Sequence, residues 1–144
     1  MNLEELRARK GFICDMDGVI YLGNQLLPGV REFVSWLNEN DKQFLFLTNS
    51  SERSPKELRQ KLQRMGLDID EEHFYTSALA TAAFLKKQAP GCTAFVIGAP
   101  GLLNALYDVG VTMNDVDPDY VIVGEGRNYS LDSLTKATNL VLAG

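Results

Sequence analysis

The sequence predicts an α/β protein built on parallel strands covered by helices, with a second, smaller α/β region behind the first. Three observations carry this. Gly11–Cys14, Phe44–Leu47, Ala94–Ile97 and Tyr120–Val123 are apolar at successive positions, not alternate ones. Runs of that kind suit strands buried on both faces of a parallel sheet. Amphipathic helical patterns separate or follow the runs, and glycine or short polar loops mark the turns.

Taken in order, the first strand ends on acids, Asp15 and Asp17, and leads into an irregular stretch from Gly18 to Gln25 with a small β-like piece, Val19–Leu22. Pro28 and Gly29 open a helix in which Val30, Phe33, Val34 and Leu37 form one apolar face, and Asn40 and Asp41 close it. The second strand runs into Thr48-Asn49-Ser50-Ser51-Glu52-Arg53. The next helix starts at Ser54-Pro55-Lys56-Glu57, a capping serine with proline in the first turn and a glutamate able to reach back. Leu58, Leu62 and Met65 give its stripe, and Gly66 stops it. Phe74–Thr76 is a short third strand, and Ser77 is the expected cap of a helix reaching about Lys87. Pro90-Gly91 then breaks the chain, and the domains are read as 1–80 and 81–144. Two strand–turn–helix units follow, with helices over about 101–108 and 130–143. Leu131, Leu134, Ala137 and Val141 are expected to share the buried face of the last helix. Two such units are too few to cover a sheet, so a further strand is expected after Gly144.

With 144 residues, 45% apolar content and a net charge of −5, the chain reads as an ordinary globular protein with no basic stripe for a nucleic-acid polymer. The N-terminus lacks a signal-peptide core, and no apolar run approaches the roughly 18 residues of a membrane span. Cys14 and Cys92 stand apart, in apolar surroundings, and form neither a disulfide framework nor a zinc pattern. The expected compartment is the cytoplasm. A homo-oligomer is compatible with the sequence.

Asp15-Met16-Asp17-Gly18 is the informative motif. Ligands of open parallel sheets bind at the carboxyl ends of strands. A carboxylate there can attack phosphorus and form an acyl phosphate, and a second carboxyl can protonate the leaving oxygen and later activate water. A divalent cation relieves the repulsion among two carboxylates and a phosphate, and Mg2+ favours such an oxygen set. A calcium loop fails, because its twelfth position is Leu26 and not glutamate. A plain turn remains open. Thr48 and Asn49 end the second strand with groups able to hold phosphate oxygens.

These motifs, DMDGV after one strand, LTNSS after the next and VIG, GLL and DYVIVGE later, resemble the haloacid dehalogenase superfamily, in its NagD-type branch of sugar- and nucleotide-phosphate phosphatases. The resemblance runs from about Gly11 to Gly144. It implies a Rossmann-like three-layer core, 1–80, and the start of an inserted α/β cap domain, 81–144. It implies Asp15 as nucleophile and Asp17 as general acid/base. Mg2+ would be held by the Asp15 carboxylate and the Asp17 main-chain carbonyl, Thr48 and Asn49 would bind phosphate, and Val19–Gln25 would form a flap. The substrate would be a small phosphate ester. A lysine and the acids that complete the metal site would lie beyond the last residue, so both domains are expected to be incomplete and the 144-residue chain to have little activity alone.

Other residues carry weaker signals. A nucleophilic Cys14 and a catalytic His73 are disfavoured, with His73 read as a surface or interface residue and Trp36 and Tyr107 as packing residues. Gly98–Gly101 and Gly124–Gly126 match neither dinucleotide nor P-loop patterns. Glu125 and Arg127 are candidate specificity residues. Two other functions compete: a receiver-like phospho-aspartate module, which would need its acid at the third strand's end, and a silent interaction fragment.

Overall fold

The structure, a computed structural model, describes residues 2–127 and 129–144. The chain divides into two compact units. The first comprises Met1–Thr48 and Pro55–Tyr75, the second Asn49–Ser54 and Thr76–Gly144. Among the described residues no helix is long and apolar enough to cross a membrane.

The first unit opens with a short helix, α1 (Leu3–Arg7), closed by a capping box between Asn2 and Glu5. Strand β1 (Gly11–Asp15) then pairs in parallel with β4 (Gln43–Thr48), and β5 (Phe74–Thr76) completes the order β1-β4-β5. Between β1 and β4 lie a small hairpin, β2 (Tyr21–Leu22) against β3 (Gln25–Leu26), and helix α2 (Val30–Glu39). Helix α3 (Pro55–Arg64) and a 3-10 turn, Glu71–His73, lead to β5.

Register explains which side chains are buried. Phe12 pairs with Phe44 and Cys14 with Phe46, so these four face one side. There they pack with Val30, Val34 and Leu37 of α2 and Leu58 and Leu62 of α3. Two successive right-handed crossovers in one direction put both helices on one face of the sheet. The other face carries Ile13, Leu45 and Leu47, and it is open: Ile13 is 72% exposed and Leu47 43%. Phe46, with no exposed surface, stands at the centre of the covered face between Phe44 and Phe74, at ring distances of 5.5 and 6.0 Å. Replacing it with alanine is expected to cost about 3–5 kcal/mol, read as a lower midpoint in urea unfolding.

The second unit holds helix α4 (Ser77–Gln88), strand β6 (Thr93–Ile97), helix α5 (Pro100–Asp108), strands β7 (Thr112–Met113) and β8 (Tyr120–Val123), and helix α6 (Leu131–Ala143). Its sheet is parallel, in the order β7-β6-β8. Ala78, Ala82 and Leu85 of α4 pack with Leu102, Ala105 and Leu106 of α5 over Ala94. Asp119 pins the start of β8, accepting from the Thr93 N–H at 2.7 Å and its hydroxyl at 2.9 Å. Those two bonds hold the Asp119 carboxyl below the ordinary carboxylate range.

Several sequence expectations change. The third strand of the second sheet is β7, inside the chain, where two residues gave no periodic signal. The cap of α4 is Thr76, whose side chain accepts from the Leu79 N–H, and Ser77 is the first helical residue. His73 is a packing residue: its ring stacks on Phe44 at 3.9 Å and its Nδ1 lies 2.9 Å from the Phe44 carbonyl oxygen. Trp36 packs edge-on to Phe12, but Tyr107 is 53% exposed. On α6 only Ala137 of the expected face is buried, while Leu131 is 80% exposed.

Candidate active site

Asp15 is the last residue of β1, and in register it stands opposite Leu47. Thr48, the last residue of β4, therefore lies one step beyond the partner of Asp15, at the same carboxyl edge of the same sheet. Asp15 and Asp17 are exposed and Thr48 is buried. Met16, between the two acids, has no exposed surface and anchors the turn. Its carbonyl accepts from the N–H groups of Val19, Ile20 and Tyr21.

The backbone leaves strand geometry at Gly18, with φ of 77°, a value that an L side chain rarely adopts. The Gly18 N–H donates to the Tyr21 carbonyl at 2.8 Å, which folds the chain back beside Asp17. Behind it the β2–β3 hairpin is held by buried Ile20 and Tyr21, and Lys61 lies 3.6 Å over the Tyr21 ring. Val19–Gln25, the segment expected to form a flap, contains β2 and the first residue of β3.

Neither Asp15 nor Asp17 forms a salt bridge among the described residues, and the Asp17 carbonyl accepts no hydrogen bond there. No three His, Cys, Asp or Glu groups gather into a metal-ready cluster among the described residues. Cys14, next to Asp15, packs against the core, and burial pushes its thiol pKa up, which leaves less thiolate for attack.

Asn49 follows Thr48 directly but folds with the second unit, as do the five residues after it. Ser51 Oγ accepts from the Glu125 N–H at 2.8 Å, and Ser50 Oγ donates to Glu125 Oε2 at 2.5 Å. A cavity of about 260 Å3 opens there, lined by Asn49, Ser51, Ser77, Thr81 and Glu125 among others. Arg127 is largely exposed, 3.9 Å from Glu52. In the turn at Gly98–Gly101 the Ala99 and Gly101 amides are engaged, and Pro100 has none to offer. Ala99 N–H donates to the Glu125 carbonyl, Gly101 N–H to Glu52, and Leu102 and Leu103 N–H to Ala99. Lys136 pairs with Asp115 at 2.8 Å and is engaged on α6.

The Ser51 contact was not read from the sequence, although a signal for it exists. Gly101 and Gly124 have no positive φ, so glycine is needed there for space and not for conformation.

Comparison with known proteins agrees with this fold. The chain is 42% identical over 133 residues to a dihydroxyacetone phosphatase of Corynebacterium glutamicum, covering 92% of this chain and 48% of that protein. It is 40% identical over 135 residues to the ribonucleotide monophosphatase NagD of Escherichia coli, covering 94% and 54%. The solved structure of that NagD superposes with a TM-score of 0.89 over 94% of this chain. A 4-nitrophenylphosphatase from Thermotoga maritima, 34% identical, superposes with 0.91, covering 96% of this chain and 53% of that one. The chain thus spans about half the length of the relatives it matches. The family described as haloacid dehalogenase-like hydrolase matches residues 12–112, and the chain belongs to that family.

Proposed function

We propose that this chain carries the nucleophile-bearing part of a magnesium-dependent phosphomonoesterase acting on small phosphate esters, sugar phosphates or nucleoside monophosphates. The observation that supports it best is the register of β1 and β4, which brings Asp15 and Thr48 to one sheet edge, with Asp17 two residues after Asp15 in the turn that follows. The relatives, named as a dihydroxyacetone phosphatase and a ribonucleotide monophosphatase, favour the same chemistry.

In this reading an Asp15 oxygen attacks phosphorus and the ester oxygen leaves. Asp17, as the acid, gives that oxygen its proton. The resulting aspartyl-phosphate is then hydrolysed by a water whose proton returns to Asp17. Thr48, and Asn49 next to it in the chain, hold the non-bridging oxygens.

The donor set fits a hard cation: two carboxylates without salt-bridge partners and the Asp17 carbonyl, which accepts no hydrogen bond among the described residues. The Asp15 carboxylate and the Asp17 carbonyl would hold Mg2+. When bound, it would supply positive charge against the phosphate and the acids.

A receiver-like module is disfavoured, because the end of β5 carries Thr76, which caps α4, and no acid. The test is p-nitrophenyl phosphate hydrolysis by the chain extended to its relatives' length. Turnover is expected with Mg2+, its loss in excess EDTA and its return on adding Mg2+ back. Turnover indifferent to EDTA would remove the metal from the reading.

A further inference from the structure

We propose that Tyr21 is a positioning residue for Asp17, and that Lys61 of α3 holds Tyr21 to that task. This rests on the phosphatase reading above, in which Asp17 gives the leaving oxygen its proton. Every residue involved belongs to the first unit.

The direction in which a side chain leaves the backbone is set by the two planar peptides that meet at its Cα. For Asp17 these are the Met16–Asp17 and Asp17–Gly18 peptides, and both are bonded to Tyr21. The Tyr21 N–H donates to the Met16 carbonyl at 3.3 Å, and the Tyr21 carbonyl accepts from the Gly18 N–H at 2.8 Å. Asp17 and Tyr21 accordingly form an isolated parallel bridge. Ile20 is equally buried and also donates to Met16, at 2.9 Å, but its carbonyl accepts from Leu27. Tyr21 therefore fastens both sides of Asp17. Asp17 is itself exposed, so burial does not fix it.

What fixes Tyr21 is its ring. The residue is 3% exposed and belongs to the core cluster that contains Leu58 and Leu62 of α3. Lys61, half-buried on the same helix, carries its Nζ 3.6 Å from the ring centroid. A cation is drawn to the face of an aromatic ring, and the more so where water is excluded. Apolar neighbours hold a ring by its volume. A cation over its face also holds its plane. A ring that tilts carries its own backbone with it, and so both peptides around Asp17.

The proton from Asp17 matters as much as the leaving group needs it. An alkoxide needs it, whereas nitrophenolate leaves without it. The ratio kcat/KM covers the steps up to transfer of the phosphoryl group to Asp15, so it reads Asp17 as the acid alone. A general loss of structure would lower it for both kinds of ester by the same factor.

In the chain extended to its relatives' length, at saturating Mg2+, Lys61→Met is expected to lower kcat/KM for dihydroxyacetone phosphate on the order of tenfold, and for p-nitrophenyl phosphate by less than about twofold. Lys61→Arg, which keeps a cation for the ring, is expected to recover most of the loss. In a Tyr21→Leu background, Lys61→Met should add nothing further, because the two residues act as one. Equal losses on the two esters, or no loss on either, would overturn the proposal and leave the phosphatase reading intact. No hydrolysis by the unsubstituted extended chain would instead defeat that reading, and the proposal with it.

A second measurement needs no turnover. In the 144-residue chain, Lys61→Met is expected to speed hydrogen exchange at the Gly18 amide roughly tenfold, while the amides of β4 keep their rates. An unchanged Gly18 amide would overturn the hold of Lys61 on Tyr21. Equal acceleration throughout β4 would mark a general loss of stability and overturn it as well.

Discussion

Asp15→Asn, in the chain extended to its relatives' length, is expected to reduce p-nitrophenyl phosphate turnover by roughly four orders of magnitude or more, the scale seen when a covalent nucleophile is removed. The amide is isosteric with the carboxyl, so β1 and its register with β4 should survive, and circular dichroism should not change. What is lost is the charge that attacks phosphorus. Asp17→Asn should behave differently. Nitrophenolate leaves without needing a proton, so the first step persists while the second loses its base. A burst of nitrophenolate followed by stalled turnover, with phosphate retained on the protein, is the expected signature. If Asp15→Asn kept its activity, the nucleophile would lie elsewhere, and the register of the two strands would no longer support the reading.

The legibility of this site in the sequence has a physical basis. β1 and β4 are short apolar runs that end abruptly on polar residues, and that boundary is itself the strand end where ligands bind. Asp15 and Thr48 could therefore be placed at one edge from local pattern alone, once the two strands were taken as neighbours. Gly18 advertised the turn, and its φ of 77° is why. What was illegible came from tertiary pairing. β7 is two residues long and exists because Thr112 and Met113 find Thr93 and Ala94. His73 looked like a surface residue because nothing local says that its ring lies on Phe44. Leu131, Leu134 and Val141 repeat at helical spacing, but the pattern shows only which residues share a face, not what covers it. Nor does the composition of Asn49–Ser54 announce that the loop folds with the second unit. That is fixed by hydrogen bonds to Glu125 and Gly101, more than forty residues away.

The 144-residue chain is expected to turn over p-nitrophenyl phosphate at a small fraction of the rate of the same chain extended to its relatives' length, even with saturating Mg2+. The first reason is electrostatic. Asp15, Asp17 and a phosphate bring like charges together, and no third acid joins them in a metal-ready cluster among the described residues. The second reason is the sheet. Both α2 and α3 lie on one face, and the other presents Ile13, Leu45 and Leu47 beside Asp15, with Ile13 72% exposed. Apolar surface left in water forfeits about 25 cal/mol per Å2 relative to burial, so this face favours any chain that covers it. β1 is moreover an edge strand of the β1-β4-β5 sheet, its outer hydrogen-bonding groups open to a further strand. A strand added there would put Asp15 between two neighbours instead of at a margin, and an added helix would cover Ile13 and Leu47. The extended chain should accordingly bind less anilinonaphthalene sulfonate and unfold at a higher temperature. If the 144-residue chain matched the extended one in kcat/KM, the open face and the uncompleted charge would both be irrelevant to catalysis, and Asp15, Asp17 and Thr48 would have to suffice with the residues already beside them.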